Sequence, residues 1–199
     1  VDSTLAEAKA SFAHGDFEKA VLGFRAVTDQ VPDCLEAILG LGFALHACDR
    51  ADEAIAVFRE GLILCPNHAE LHFGLGLSLM TSGDEYRAIR EFKRTLELTP
   101  HHRLCPAMLM KALRIHTDHL LKEGNFIWAE QMIDDQLALD EHDPDALAQM
   151  VQLKNRLAEY DEAKRYFRVL NENKPDYPGI HDLAKTLGLI KHRERGWLY

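Results

Sequence analysis

The stretches "LGLGFAL" (Leu39–Leu45) and "FGLGLSL" (Phe73–Leu79) decide the fold of this 199-residue chain. Each sets Gly-Leu-Gly inside an apolar run, and two readings compete. A phosphate-cradling loop would place its glycines between a strand and a helix, with the wider spacing of G-x-G-x-x-G. Close packing of two helices needs only the missing side chain. No strand-like run precedes either stretch, and the second follows the first by 34 residues. Sliding the sequence by 34 returns more. Pro32, Pro66 and Pro100 align, as do Ala20, Ala54 and Ala88, and Phe24, Phe58 and Phe92. Gly42 and Gly76 fall in register with a third small residue, Ala8. Each unit holds an apolar-periodic segment, a short turn ("HGDF", "CDRAD", "SGDEY"), a second such segment and a proline. That order is helix–turn–helix, repeated.

The pattern resembles the tetratricopeptide repeat (TPR) family, which has a small residue at its eighth position, alanine at the twentieth, an aromatic near the twenty-fourth and proline at the thirty-second. Three units match in register: 1–34, 35–68 and 69–102. Glycine inside a helix costs about 1 kcal/mol relative to alanine, so Gly40, Gly42, Gly74 and Gly76 are expected to be offset by close helix packing. The register then breaks once. A fourth repeat fits 110–143, with Gly124 on the turn, Ala129 at the twentieth position and Ile133 at the aromatic one. That leaves "RLCPAML" (Arg103–Leu109, 103–109) as an insertion of almost two helical turns, able to lengthen the next helix without rotating its buried face. A fifth repeat fits 144–177, with Ala163, Phe167 and Pro175 in register. Residues 178–199 read as a capping helix over Gly179–His192, with its leucines and Ile190 facing inward, followed by a tail. The expected fold is all-α: a right-handed α-solenoid of about five repeats plus the cap, eleven helices in one cooperative unit.

Bulk properties bound the function. A net charge of −9 argues against a general nucleic-acid surface, which needs a basic face. No apolar run is long enough to span a membrane, and "VDSTLAEAKASF" does not read as a signal peptide. Cys34, Cys48, Cys65 and Cys105 form no C-x-x-C pair, so free thiols in a reducing, cytoplasmic compartment are expected.

Enzyme signatures are absent from the sequence: no G-x-S-x-G, Walker loop, H-E-x-x-H or EF-hand spacing occurs. His116 and His119 sit one turn apart, a spacing that can chelate a metal, with His101, His102 and Cys105 upstream. His116 falls at a packing position of the repeat, so no metal and no cofactor are expected. His181–Asp182 lacks the partner histidines of a metal phosphohydrolase. "MIDDQLALDEHDPD" (Met132–Asp145) reads as a solvated acidic rim.

Function is then expected on the face that the resemblance assigns to a concave groove lined by the first helix of each repeat. Its inward positions give Leu5, Lys9 and Phe12, then Leu39, Phe43 and His46, then Phe73, Leu77 and Met80. Arg114, Asp118 and Leu121 continue the row. Gly40 and Gly74 are expected to open depth in its floor, and Phe43 and Phe73 to be the anchors. Of the cationic and amide residues with which relatives hold acidic Hsp70 and Hsp90 tails, only Lys9 is present, so that specificity is not expected. The trough suits an amphipathic helix or an extended apolar peptide. The sequence thus points to a non-enzymatic adaptor or scaffold for a protein partner. Two alternatives stay open: a regulatory or targeting module of a longer, enzymatic protein, and a self-assembling scaffold. The tail "KHRERGWLY" could dock in a second copy and build a homo-oligomer.

Overall fold

The computed structural model describes residues 1–189. Among them are eleven α-helices and no strand: α1 (Asp2–Ala13), α2 (Phe17–Gln30), α3 (Leu35–Ala47), α4 (Ala51–Leu64), α5 (Ala69–Thr81), α6 (Glu85–Leu98), α7 (Cys105–Glu123), α8 (Phe126–Leu139), α9 (Pro144–Arg156), α10 (Tyr160–Asn173) and α11 (Ile180–Thr186). The chain forms two compact units, Val1–Ala112 and a second beginning at Leu113. None of the described helices is long and apolar enough to cross a membrane.

In the first unit each helix packs against the next, and α1, α3 and α5 also pack in series. The glycines explain how this is possible. A Cβ on Gly40 would lie 2.4 Å from the Phe24 ring, and one on Gly76 would lie 2.6 Å from Phe92. Phe58 is held from both sides, 2.6 Å from a Cβ on Gly42 of α3 and 2.3 Å from one on Gly74 of α5. Phe58 and Phe92 are fully buried. The alanines at 20, 54, 88, 129 and 163 are likewise at 0 % exposure, because a larger side chain there would part the two helices of a pair.

The turns share one geometry. At Gly15, Asp49, Gly83, Gly124 and Ala158 the backbone takes positive φ. In each case the next amide reaches back to a helix carbonyl, as Arg50 N–H does to Leu45 O at 3.0 Å and Glu159 N–H to Lys154 O at 2.9 Å. This is the Schellman closure, which satisfies the last carbonyls of the helix.

The second unit places α9 against α8, α10 and α11. Its two apolar clusters meet on α9, through Leu147 and Val151 on one side and Met150 and Leu153 on the other. Here the expected cap is corrected. The helix stops at Thr186, short of His192, because Gly188 at φ 67 closes another Schellman motif with Leu189 N–H on Ala184 O at 2.9 Å. Leu183 and Leu187 face inward, but Leu189 is 48 % exposed. Ile190 and the tail "KHRERGWLY" lie outside the described residues.

Candidate functional site

The face expected to carry function is built in the first unit by α1, α3 and α5. Leu5, Phe12, Leu39, Phe43, His46, Leu77 and Met80 are all half-buried there. Their helices bury one stripe against neighbours and leave these side chains part-way to solvent. Lys9 is exposed and pairs with Glu36, which ties α1 to α3. The Phe43 ring stands edge-on to Phe58 at 5.2 Å, and Phe12 edge-on to Phe17 at 5.4 Å. Burial holds the His46 imidazole below its ordinary pKa, with Asp49 opposing the shift, so His46 is neutral at pH 7.

Two expectations fail on this face. Phe73 is only 5 % exposed, wedged against Phe92 at 5.9 Å and the His102 ring at 4.4 Å. It is core, and no anchor for a partner. Gly40 and Gly74 open no depth in the floor either, because the Phe24 and Phe58 rings fill the space beside them.

His102 itself is committed. Its Nε2 faces Glu70 Oε1 at 3.1 Å, and its Nδ1 accepts from the Cys105 N–H at 3.1 Å. Cys105 is fully buried with its thiol on Phe92 O at 3.2 Å, and burial pushes its pKa up to about 11. A thiol so placed is a poor nucleophile and a poor metal ligand. Among the described residues no group of three His, Cys, Asp or Glu side chains is arranged to hold a metal ion.

In the second unit Arg114 is half-buried and pairs with Asp143 and, at 3.5 Å, with Asp145. Asp143 corrects the reading of a wholly solvated acidic rim. It is 4 % exposed and caps α9, accepting from the Asp145 and Ala146 amides at 3.0 and 2.9 Å. The capping sequence "DPD", with proline at the first helical position, carried that signal. Asp118 is exposed and accepts from Gln149 Nε2 at 3.2 Å. Leu121 is half-buried and lines, with Asp118, Lys122, Gln152 and Arg156, a cavity of about 310 Å³ between α7 and α9.

One polar centre went unread in the sequence. Lys154 is 5 % exposed, and its ammonium donates to Glu130 at 2.7 Å and Glu159 at 2.6 Å and pairs with Glu162 at 2.9 Å. Burial alone would lower its pKa, but the three carboxylates outweigh that and raise it. Lys154 shares a helix face with Leu147 and Val151, so periodicity alone would have predicted an apolar residue.

Paired helices with small residues beneath aromatic rings, returning at a fixed interval, define a helical-repeat protein. Residues 5–69 match the tetratricopeptide repeat family model. No curated protein matches the sequence. Solved structures share the fold at low identity. The crystal structure of MamA protein is 18 % identical over 88 % of this chain and 94 % of that one, with a TM-score of 0.61. A thermophilic TPR protein of Thermus thermophilus is 15 % identical over 95 % and 99 %, with a TM-score of 0.52. The Yersinia enterocolitica type III secretion chaperone SycD, in complex with a peptide of the translocator YopD, is 19 % identical over 56 % and 90 %, with a TM-score of 0.52.

Proposed function

We propose that this chain is a non-enzymatic TPR adaptor that holds a protein segment, an amphipathic helix or an extended apolar peptide, against α1, α3 and α5. The observation that carries the reading is the row Leu39, Phe43, Leu77 and Met80, apolar side chains left half-exposed on helices whose other faces are buried. Such a row offers a partner apolar area without disturbing the core. With Phe73 in the core, Phe43 is the remaining aromatic contact on α3 and α5. The peptide complex of SycD supports the idea that this fold can carry a bound segment. Four free thiols are in keeping with a reducing, cytoplasmic setting.

The test is affinity capture from native lysate with wild type and a Leu39→Glu/Met80→Glu variant, with bound proteins identified by mass spectrometry and helicity followed by circular dichroism. A protein held by wild type and lost by the folded variant is the expected result. Equal capture by both would place the partner on another surface, and the reading would be wrong.

A further inference from the structure

One edge of the second unit carries an apolar patch that the repeat does not call for. α8 opens on Phe126, Ile127 and Trp128, and of these Ile127 is 83 % and Trp128 55 % exposed. The same two register positions hold Glu18 and Lys19, Asp52 and Glu53, and Tyr86 and Arg87 in the first three repeats. Leu157 and Tyr160, also exposed, stand at the turn between α9 and α10. Two contacts bring that turn to the start of α8. Lys154 joins Glu130 to Glu159, and Arg156 lies over the Phe126 ring at 6.0 Å. Single exposed apolar residues are ordinary on a protein surface, but a tryptophan beside an isoleucine, grouped with a tyrosine and a leucine, marks a docking surface.

Charge sets the kind of occupant. Glu130, Glu159 and Glu162 outnumber the single Lys154 that ties them. Glu123 and Asp161 add to the excess, so the edge stays acidic even with Lys122 and Arg156 counted. A second copy of this edge would bring the same acids against it, and so few apolar side chains fall short of the roughly 800 Å² per partner that a stable dimer buries. A cationic segment with an apolar end is complementary, and this chain contains one. "KHRERGWLY" sets Lys191, Arg193 and Arg195 against one acid, Glu194, and follows them with Trp197, Leu198 and Tyr199. The segment is also within reach. Thr186, the last residue of α11, borders the same cavity as Arg156, and α9 lies against both α8 and α11. The end of α11 is therefore about two interhelical spacings from the start of α8, roughly 20 Å. The chain from Leu189 to Trp197 spans up to about 26 Å when extended.

We infer that the edge formed by Ile127, Trp128 and Tyr160 is a docking surface for the chain's own segment Lys191–Tyr199, whose cations meet the acidic rim while Trp197 and Leu198 cover Trp128 and Ile127. A tethered segment meets its site at a millimolar effective concentration, so individually weak contacts suffice. This surface belongs to the second unit and is independent of the α1–α3–α5 face.

The experiment uses the full chain, in which Trp128 and Trp197 are the two tryptophans. Trp197→Phe keeps an apolar ring in the segment and leaves Trp128 as the single tryptophan, whose fluorescence is then quenched with acrylamide. Trp128 is expected to be shielded in this protein, and to lose that shielding when Lys191→Glu, Arg193→Glu and Arg195→Glu are added. Ile127→Ser, at an exposed position, should unshield it as well. In the unsubstituted chain, nuclear Overhauser contacts between the Trp128 indole and the Leu198 methyls are expected, and the three charge reversals should abolish them. Circular dichroism checks that every variant keeps its helices. Equal quenching of Trp128 with and without the charge reversals, or no contact between Trp128 and Leu198, would overturn the inference. Shielding that grows with protein concentration would overturn it too, because the segment would then come from a second copy.

Discussion

The Phe58 ring reaches to 2.3 Å from where a side chain on Gly74 would begin, although the two residues belong to successive repeats. The ring cannot retreat, because a Cβ on Gly42 would lie 2.6 Å from its other side and the residue is fully buried. Gly74→Ala therefore forces α4 and α5 apart and is expected to cost about 2 kcal/mol or more, the usual size of an overpacked core. Urea unfolding of Gly74→Ala, Phe58→Leu and the double variant checks this. The double variant should be more stable than the sum of the single losses implies, since the smaller side chain frees the volume the new methyl needs. Strict additivity would mean the contact carries no strain.

Phe73 separates core from surface on the same helix. At 5 % exposure it meets Phe92 and His102, so Phe73→Glu places an unpaired carboxylate among rings and should prevent stable folding. Met80→Glu, on a half-buried position two turns further along α5, should keep full helicity and change stability by under about 1 kcal/mol. Circular dichroism melts of the two variants side by side decide it.

That contrast marks where the sequence was legible. The 34-residue recurrence of glycine, alanine, phenylalanine and proline announced helix pairs and close packing, because volume constraints at helix crossings leave one residue type in place. Exposure at Phe73 was not legible. Phe43 and Phe73 sit at neighbouring inward positions of successive repeats, and His102, folded back over α5, covers the second. The Lys154 cluster was hidden for a similar reason: Glu130, Glu159 and Glu162 come from outside α9, and no local spacing joins them. The end of α11 could have been found, since "LGL" after a helix offers glycine at the position where left-handed backbone closes a Schellman motif.

The turn residues yield a stabilising substitution. Ala158 holds φ 61 at the position where Gly15, Gly83 and Gly124 adopt the same left-handed backbone. A β-carbon there is disfavoured by roughly 1 kcal/mol, so Ala158→Gly should raise stability by about that amount. Gly124→Ala should lower it by a similar amount, although nothing lies within 4 Å of the added atom. Opposite shifts in melting temperature are the expected outcome, and a loss from Ala158→Gly would refute the strain.

Lys154 and Asp134 give the second unit its pH response. Lys154 ties Glu130 of α8 to Glu159 and Glu162 at the start of α10, and Lys154→Met should cost about 3 kcal/mol by leaving three carboxylates facing one another. Its raised pKa keeps the ammonium charged at neutral pH, and that charge is lost only in strong alkali. Asp134 behaves oppositely. Burial, with Glu130 adding to it, raises its carboxyl above the ordinary 3.8, so ionising it destabilises the fold. Stability should therefore gain as pH falls through the raised pKa, and Asp134→Asn should stabilise at pH 7 but make no difference below pH 3.8. Melts of both proteins across that window would show the gap closing.

Gln136 stands at 0 % exposure, and its amide donates to the Thr117 hydroxyl at 2.9 Å, which itself donates to Leu113 O at 2.8 Å. The amide oxygen of Gln136 is buried with no partner among the described residues. An unsatisfied acceptor of this kind costs about 1–3 kcal/mol, so Gln136→Met, close in shape, should raise stability even though a hydrogen bond is lost. Thr117 keeps its bond to Leu113 O in that variant. Thr117→Val should do the reverse, because it strips the Gln136 amide of its acceptor. The pair of substitutions thus moves the melting temperature in opposite directions although each breaks the same contact. If both lowered it equally, the amide oxygen would have to be satisfied in solution, and the hydrogen bond itself would be the stabilising element.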